Sequence, residues 1–147
     1  MKPIGIRNFQ KKLLIAKTLA KLMHKGQKYG AHDYYQRHVL DVYDRVKADP
    51  NAMKVHEIVA ILHDVVEDTA VTLDDLYAFG FDPKIVTAVD AITRRDGEDY
   101  LSDYIPRVYE NAIATLVKYH DLRANTNTGT PESMARRNLK AMGMLKC

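Results

Sequence analysis

Apolar residues recur at helical spacing along the chain, and this pattern constrains its fold more than any other feature. Ile15, Leu19, Leu22 and Met23 follow the i, i+4, i+7, i+8 pattern of one helix face, which predicts a helix over residues 8–25. The same spacing predicts a central helix over residues 52–66 and further helices towards the end of the chain. No window alternates like a strand with hairpin turns. The sequence therefore predicts an all-α protein.

The bulk properties are those of one globular domain. At 147 residues the chain can bury a sizeable core, and without repeats or linker-like stretches we predict a single domain over residues 1–147. The net charge of +3 suits an anionic small molecule and does not favour nucleic acid. Cys147 is the sole cysteine, so no internal disulfide can form.

No segment of the sequence points to a membrane. The longest apolar runs, such as Ile58–Leu62, are far shorter than the roughly 20 residues that a spanning helix needs. Residues 1–5 contain no apolar core of a signal peptide. We expect a cytoplasmic protein with no membrane partner, and the oligomeric state stays open.

Three short patterns predict helix starts. Thr72 followed by Asp75 is a capping box in which Asp replaces the usual Glu. Asp82 precedes Pro83, which is suited to the first position of a helix, where its missing N–H leaves no hydrogen bond unmade. Asn111 is a third predicted cap.

Residues 62–69, which read LHDVVEDT, carry the densest group of side chains that could bind a metal or take part in a reaction. His63 and Asp64 directly follow an apolar run, and Glu67 and Asp68 lie four residues after them, so in a continuous helix each pair shares a face. Burying unpaired charge is unfavourable, so four such groups beside a core segment need either solvent or a cation. We predict a divalent metal ion, with further ligands from other segments because one helix cannot surround an ion.

The order of several motifs resembles a known family. His38, then His63 and Asp64, then Asp121 is similar to the H…HD…D arrangement of HD-domain metal-dependent phosphohydrolases. Further motifs resemble the RelA/SpoT-type guanosine tetraphosphate hydrolase domain and its single-domain small alarmone hydrolase relatives over residues 16–128. They are Gly26-Gln27 followed by Tyr35-x-x-His38, the LHDxVEDT segment at Leu62–Thr69, and Val117-Lys118-x-x-Asp121 with Asn125 four residues later.

The resemblance implies a single-domain HD-type helical bundle with one metal ion. The implied ligands are His38, His63, Asp64 and Asp121. The metal is usually manganese, although two imidazoles and two carboxylates also suit iron or zinc. Glu67 and Asp68 would position or deprotonate the attacking water. The implied reaction removes the 3′-pyrophosphate of guanosine tetra- or pentaphosphate.

The residues expected to bind the nucleotide are less typical of the family. Lys28 and Lys118 flank motif residues and could meet phosphates, and Asn125 and Thr128 match positions beyond the last motif. Tyr29 stands where the family has an Arg that packs on the guanine; a tyrosine can stack on a base but brings no charge. Two alternatives therefore stay open. One is hydrolysis of another nucleotide or a phosphorylated cofactor such as NADPH, and the other is a non-hydrolytic nucleotide-binding module.

The remaining histidines have no predicted catalytic role. His24 and His120 adjoin apolar residues and are expected to be structural. His32 and His56 are assigned no role.

Overall fold

The computed structural model describes residues 6–146, so the expectations for residues 1–5 and Cys147 lie outside that range. Within it the long elements are all helices, as the apolar spacing predicted. They are α1 (Ile6–Met23), α2 (Leu40–Ala48), α3 (Lys54–Leu62), α4 (Val65–Asp68), α5 (Leu73–Ala78), α6 (Pro83–Ile92), α7 (Ile105–Tyr109), α8 (Ala112–Ala124) and α9 (Glu132–Leu145). None of the helices in this range has the length and apolar character to cross a bilayer.

Helix α3 lies at the centre of the bundle. It contacts α1, α2, α6 and α8, and Ile58–Leu62 are completely buried there. Burying a side chain such as Ile61 or Leu62 contributes about 1.5–3 kcal/mol, so this short helix anchors the core. The residue that follows Leu62 is consequently held at a well-packed position.

The predicted capping residues occupy their expected places. Thr72 and Asp75 form the reciprocal capping box at the start of α5. Asp82 accepts a hydrogen bond from the Lys84 N–H at 2.9 Å, and Asn111 accepts one from the Ala114 N–H at 2.9 Å. His56, which had no predicted role, accepts the Met53 N–H through Nδ1 at 2.9 Å and so caps α3.

The central helix is shorter than the sequence predicted. Instead of continuing to residue 66, α3 ends at Leu62, and Asp64 has φ −108° and ψ 0° before α4 begins at Val65. This conformation belongs to the sparsely populated bridge region, which is common among active-site residues. The break lies at His63 and Asp64, the two residues predicted to bind metal.

Two departures from regular helix were not predicted. Residues Tyr35–Val39 and Tyr100–Tyr104 form single π-helical turns that run directly into α2 and α7. The segment between α1 and this first π-helical turn also contains a small antiparallel hairpin, with β1 (Lys28–Tyr29) paired to β2 (His32–Asp33). Single π-helical turns often occur at functional sites, and the first one here contains His38.

Candidate metal centre

The four predicted ligands come together at one point in the bundle. His38 comes from the first π-helical turn, His63 and Asp64 from the break after α3, and Asp121 from α8. One nitrogen or oxygen atom from each residue lies within 4.8 Å of the corresponding atoms of the other three. Three of the side chains are almost fully buried, since His38, His63 and Asp121 are 2%, 2% and 4% exposed. Two imidazoles and two carboxylates are a donor set suited to a divalent transition metal.

The hydrogen bonds of His63 show why a cation fits this cluster. Its Nδ1 lies 2.6 Å from the Ala60 carbonyl oxygen, and since that oxygen only accepts, Nδ1 must carry the proton. In the neutral ring Nε2 then presents a lone pair. Nε2 is buried without a hydrogen-bond partner, although it lies 2.9 Å from Asp64 Oδ2 and 3.4 Å from Asp121 Oδ1. A lone pair facing two carboxylate oxygens is repulsive unless a proton or a metal ion lies between them.

Each carboxylate ligand also receives a second contact from outside the cluster. The Tyr34 hydroxyl donates a hydrogen bond to Asp64 Oδ2. Lys118 Nζ lies 2.9 Å from Asp121 Oδ2, and Asn125 Nδ2 donates to Asp121 Oδ1 at 3.2 Å. Such contacts orient metal ligands and raise metal affinity.

Charge within the cluster favours ionised carboxylates. Burial alone would raise the pKa of Asp64, but His63 and His38 beside it lower that pKa to about 2. Burial alone would likewise lower the pKa of Lys118, yet the Asp121 carboxylate raises it well above its usual value. The carboxylates are therefore in their metal-binding form at neutral pH, and Lys118 keeps its charge.

Glu67 and Asp68 lie beside the cluster. One carboxylate oxygen from each of Asp64, Glu67 and Asp68 lies within 4.8 Å of the corresponding oxygens of the other two residues. Glu67 Oε1 accepts the Arg94 N–H at 2.6 Å, which fixes its orientation. Partial burial raises the pKa of both carboxyl groups, and the Asp64 charge raises each further. The arrangement provides two proton acceptors next to the candidate metal position.

A cavity of about 240 Å³ opens directly onto the cluster. Asp64, Glu67 and Asp68 line it together with three positively charged side chains. The cationic side chains that line it are Arg94, Lys118 and Arg137. An anionic group that enters this cavity would therefore meet cations as well as the carboxylates.

Several residues of this cavity were not predicted from the sequence as site residues, among them Tyr34, Arg94 and Arg137. The guanidinium of Arg137 lies 3.8 Å from the centre of the Tyr100 ring, and its Nε is buried without a hydrogen-bond partner. Arg137 belongs to α9, which lies beyond the motifs that carry the family resemblance. Nothing in the sequence pattern indicated the hydrogen bond from Tyr34 to Asp64.

A larger cavity of about 820 Å³ adjoins the first. Tyr29, Asn125 and Thr128 line it, and Asn125 and Met134 line both cavities. The Tyr29 ring stacks on that of His38 at 5.1 Å and 11°, and its hydroxyl donates to Asn125 Oδ1 at 2.8 Å. Three of the five predicted nucleotide-binding residues thus lie together beside the cluster.

Lys118 and Lys28 complete that set of five, and their positions differ. Lys118 reaches the cluster through Asp121, as described above. Lys28 is exposed on β1 and lines neither cavity, so the structure does not bring it to the cluster.

His24 and His120, which were expected to be structural, lie outside the group of four candidate ligands. Both are buried; His24 Nδ1 lies 2.8 Å from Gln27 Oε1, and His120 Nε2 lies 2.8 Å from Asp49 Oδ2.

Comparisons with known proteins rest on structure. No protein-family model matches the chain, and no curated protein matches it in sequence. A solved structure matches with a TM-score of 0.72 and 22% sequence identity, covering 92% of this chain and 85% of that one. That structure is described as a metazoan ortholog of SpoT that hydrolyses ppGpp and plays a role in starvation responses. The chain therefore has the all-α HD-type fold that its motifs predicted.

Proposed function

We propose that this protein is a metal-dependent phosphohydrolase that removes the 3′-pyrophosphate of guanosine tetra- or pentaphosphate, with manganese as the metal. The single observation that carries the proposal is the convergence of His63 Nε2, His38 Nε2 and two carboxylates on one buried point. The ligands would be His38, His63, Asp64 and Asp121. The ppGpp hydrolysis described for the protein of similar fold supports this choice of substrate.

The reaction needs a nucleophile, a proton acceptor and a place for the leaving group. A divalent ion, when bound, activates water and offsets charge on phosphoryl oxygens. Glu67 or Asp68 accepts the proton of the attacking water, whose oxygen forms a bond to the phosphorus next to the 3′ oxygen. The bond between that phosphorus and the 3′ oxygen breaks, the oxygen gains a proton, and pyrophosphate leaves.

The cations of the smaller cavity hold the pyrophosphate group. Arg137 has an Nε–H without an acceptor, and a guanidinium suits phosphate oxygens because its N–H groups form a planar fork. Lys118 has three donors and uses one of them on Asp121, which leaves two for phosphate. Both side chains are held in place before substrate binds, by the Tyr100 ring and by Asp121 respectively.

The nucleoside would occupy the larger cavity. Its volume of about 820 Å³ lies within the usual range for small-molecule sites. Tyr29 offers a ring edge, and Asn125 and Thr128 offer an amide and a hydroxyl to the sugar or base.

The direct test is a hydrolysis assay with purified protein, manganese and guanosine tetraphosphate. We expect pyrophosphate and guanosine 5′-diphosphate in equal amounts. Asp64→Ala removes a ligand and should abolish turnover, whereas Asp44→Ala, an exposed site on α2, should not. Well-folded protein that binds manganese but leaves the alarmone intact would refute the assignment.

A second candidate is hydrolysis of a phosphorylated cofactor such as NADPH. Two observations favour it: the larger cavity exceeds what a nucleoside alone needs, and Tyr29 brings no charge for base recognition. A panel assay separates the two reactions, since cleavage of a phosphate monoester releases phosphate and no pyrophosphate. A non-hydrolytic module would instead bind the alarmone without releasing either product in the presence of manganese, iron or zinc.

A further inference from the structure

Three charged residues on one wall of the larger cavity have no part in the reaction described so far. Arg37, Asp41 and Arg45 follow each other at intervals of four residues, from the first π-helical turn into α2. Buried residues of the same segment, His38 and Val42, point to the metal centre and the core instead. The segment therefore separates the ligand His38 from a charged outer face that borders the cavity.

The two arginines of this face differ in their partners. Arg45 Nε donates to Asp41 Oδ1 at 3.1 Å, so part of its charge is balanced. Arg37 is exposed and, among residues 6–146, makes no hydrogen bond or ion pair with another side chain. No carboxylate other than Asp41 lines this cavity. The wall thus carries net positive charge and guanidinium donors that are free to bind an anion.

Another part of the lining of this cavity is polar and uncharged. It is formed by the loop between α8 and α9, where the Asn127 N–H donates to Thr130 Oγ1 at 2.9 Å and Thr130 Oγ1 donates to the Asn125 carbonyl at 2.6 Å. Thr128 lies in the same loop and also lines the cavity. This wall is suited to hydroxyl and amide groups of a ligand and not to its phosphates.

We propose that Arg37 and Arg45 form an anion subsite that binds the 5′-phosphates of the nucleotide, the end that is not cleaved. The proposal rests on the proposed function for the direction in which the substrate lies. Asn125 and Met134 border both cavities, so one ligand can extend from the metal centre into the larger cavity. A nucleotide with its 3′-pyrophosphate at Arg137 and Lys118 would then direct its 5′-phosphates towards Arg37 and Arg45 in the larger cavity.

Binding of guanosine 5′-diphosphate, measured by calorimetry against binding of guanosine, tests the subsite without any turnover. Loss of a charge-assisted hydrogen bond should weaken binding of the diphosphate by about tenfold or more in Arg37→Ala and in Arg45→Ala. Guanosine should bind all variants equally. Asp41→Asn frees Arg45 from its ion pair and should strengthen binding of the diphosphate, a change opposite in sign.

Arg123→Ala is the matched control, because it removes the same charge from a position that lines neither cavity. Equal affinity for the diphosphate in the wild type, Arg37→Ala and Arg45→Ala would overturn the subsite, and so would a loss of the same size in Arg123→Ala. Arginine-dependent binding of the diphosphate in a protein that does not hydrolyse the alarmone would support the subsite and refute the proposed reaction alone.

Discussion

The two ring nitrogens of His63 have different tasks. Nδ1 is held by the Ala60 carbonyl, which fixes both the tautomer and the plane of the ring. Nε2 is thereby turned to the carboxylates of Asp64 and Asp121. A backbone carbonyl that fixes one nitrogen so that the other can bind metal is a common arrangement in metalloproteins.

The Tyr34 hydroxyl should contribute to metal affinity. Tyr34→Phe removes the hydrogen bond to Asp64 Oδ2 and keeps the ring that packs against His24 and His38. We expect manganese affinity to fall by about 10- to 100-fold, as when comparable contacts to metal ligands are removed. Competition with a metal-sensitive dye measures this directly.

The control for this change is the neighbouring Tyr35→Phe. Tyr35 is buried, and its hydroxyl has no hydrogen bond within residues 6–146. Its loss should leave metal affinity unchanged. Equal metal affinity of Tyr34→Phe and the wild type would show that Asp64 does not depend on the tyrosine.

Arg137 should bind the phosphate group of the substrate. Arg137→Ala removes a guanidinium that lines the smaller cavity, and we expect kcat/KM for the alarmone to fall by about 10- to 100-fold while manganese affinity is kept. Arg136→Ala is the control, since that neighbour is exposed and pairs with Glu132. Similar kinetics for the two variants would exclude the phosphate role.

Helix boundaries near the site were harder to predict than the helices themselves. The apolar spacing of Val55, Ile58 and Leu62 continues formally to Val66, and no Gly or Pro interrupts it. Packing of α3 against four helices and the convergence of ligands from distant segments decide where the helix breaks. Tertiary contacts of this kind leave no local signal in the sequence. The ligands themselves, in contrast, were named from the family motifs.

The ion pair between Arg107 and Glu98 holds the turn between α6 and the second π-helical turn. Arg107 donates to both oxygens of Glu98 at 2.9 and 2.8 Å and to the Thr93 carbonyl at 2.8 Å. Glu98 also accepts the Arg95 N–H at 2.7 Å. This places Arg94, whose N–H binds Glu67, so the turn connects α6 to a candidate catalytic carboxylate.

This ion pair makes part of the stability dependent on pH. Hydrogen bonds from Arg107 lower the pKa of Glu98 to about 2 in the folded protein, against about 4.3 in an unfolded chain. The stabilisation is therefore complete above about pH 4.3 and is lost as the pH falls towards 2. Glu98→Gln should destabilise the protein by about 1 kcal/mol at pH 7, because solvent screens the pair, and by less at pH 3.

Urea unfolding of the wild type and Glu98→Gln at the two pH values measures this difference. Glu110→Gln, an exposed site after α7, serves as a control for loss of one charge. A difference that is the same at pH 7 and pH 3 would contradict the assigned pKa shift.

Metal binding should stabilise the whole bundle. The four proposed ligands come from the first π-helical turn, the break after α3 and from α8, so an ion would join segments that are distant in sequence. At a free manganese concentration 100 times the Kd, linkage adds about 2.7 kcal/mol to the free energy of unfolding. Manganese should therefore raise the Tm of the wild type.

Asp121→Asn provides the comparison for this experiment, because it weakens a ligand and keeps the size of the side chain. Its Tm should respond little to manganese, and chelation with EDTA should reverse the increase in the wild type. A Tm that rises equally in both proteins would place the ion elsewhere.

The first π-helical turn makes the metal centre sensitive to the number of residues in the chain as well as to their identity. A π-helical turn contains one residue more than the α-helical turn that it replaces, and each residue of an α-helix rotates the chain by about 100°. Deleting Gln36 would convert Tyr35–Val39 towards a regular helix and rotate the preceding residue Tyr34, which bonds Asp64, relative to His38. Loss of one exposed residue that is not itself a proposed ligand should then weaken metal binding, although every proposed ligand is still encoded.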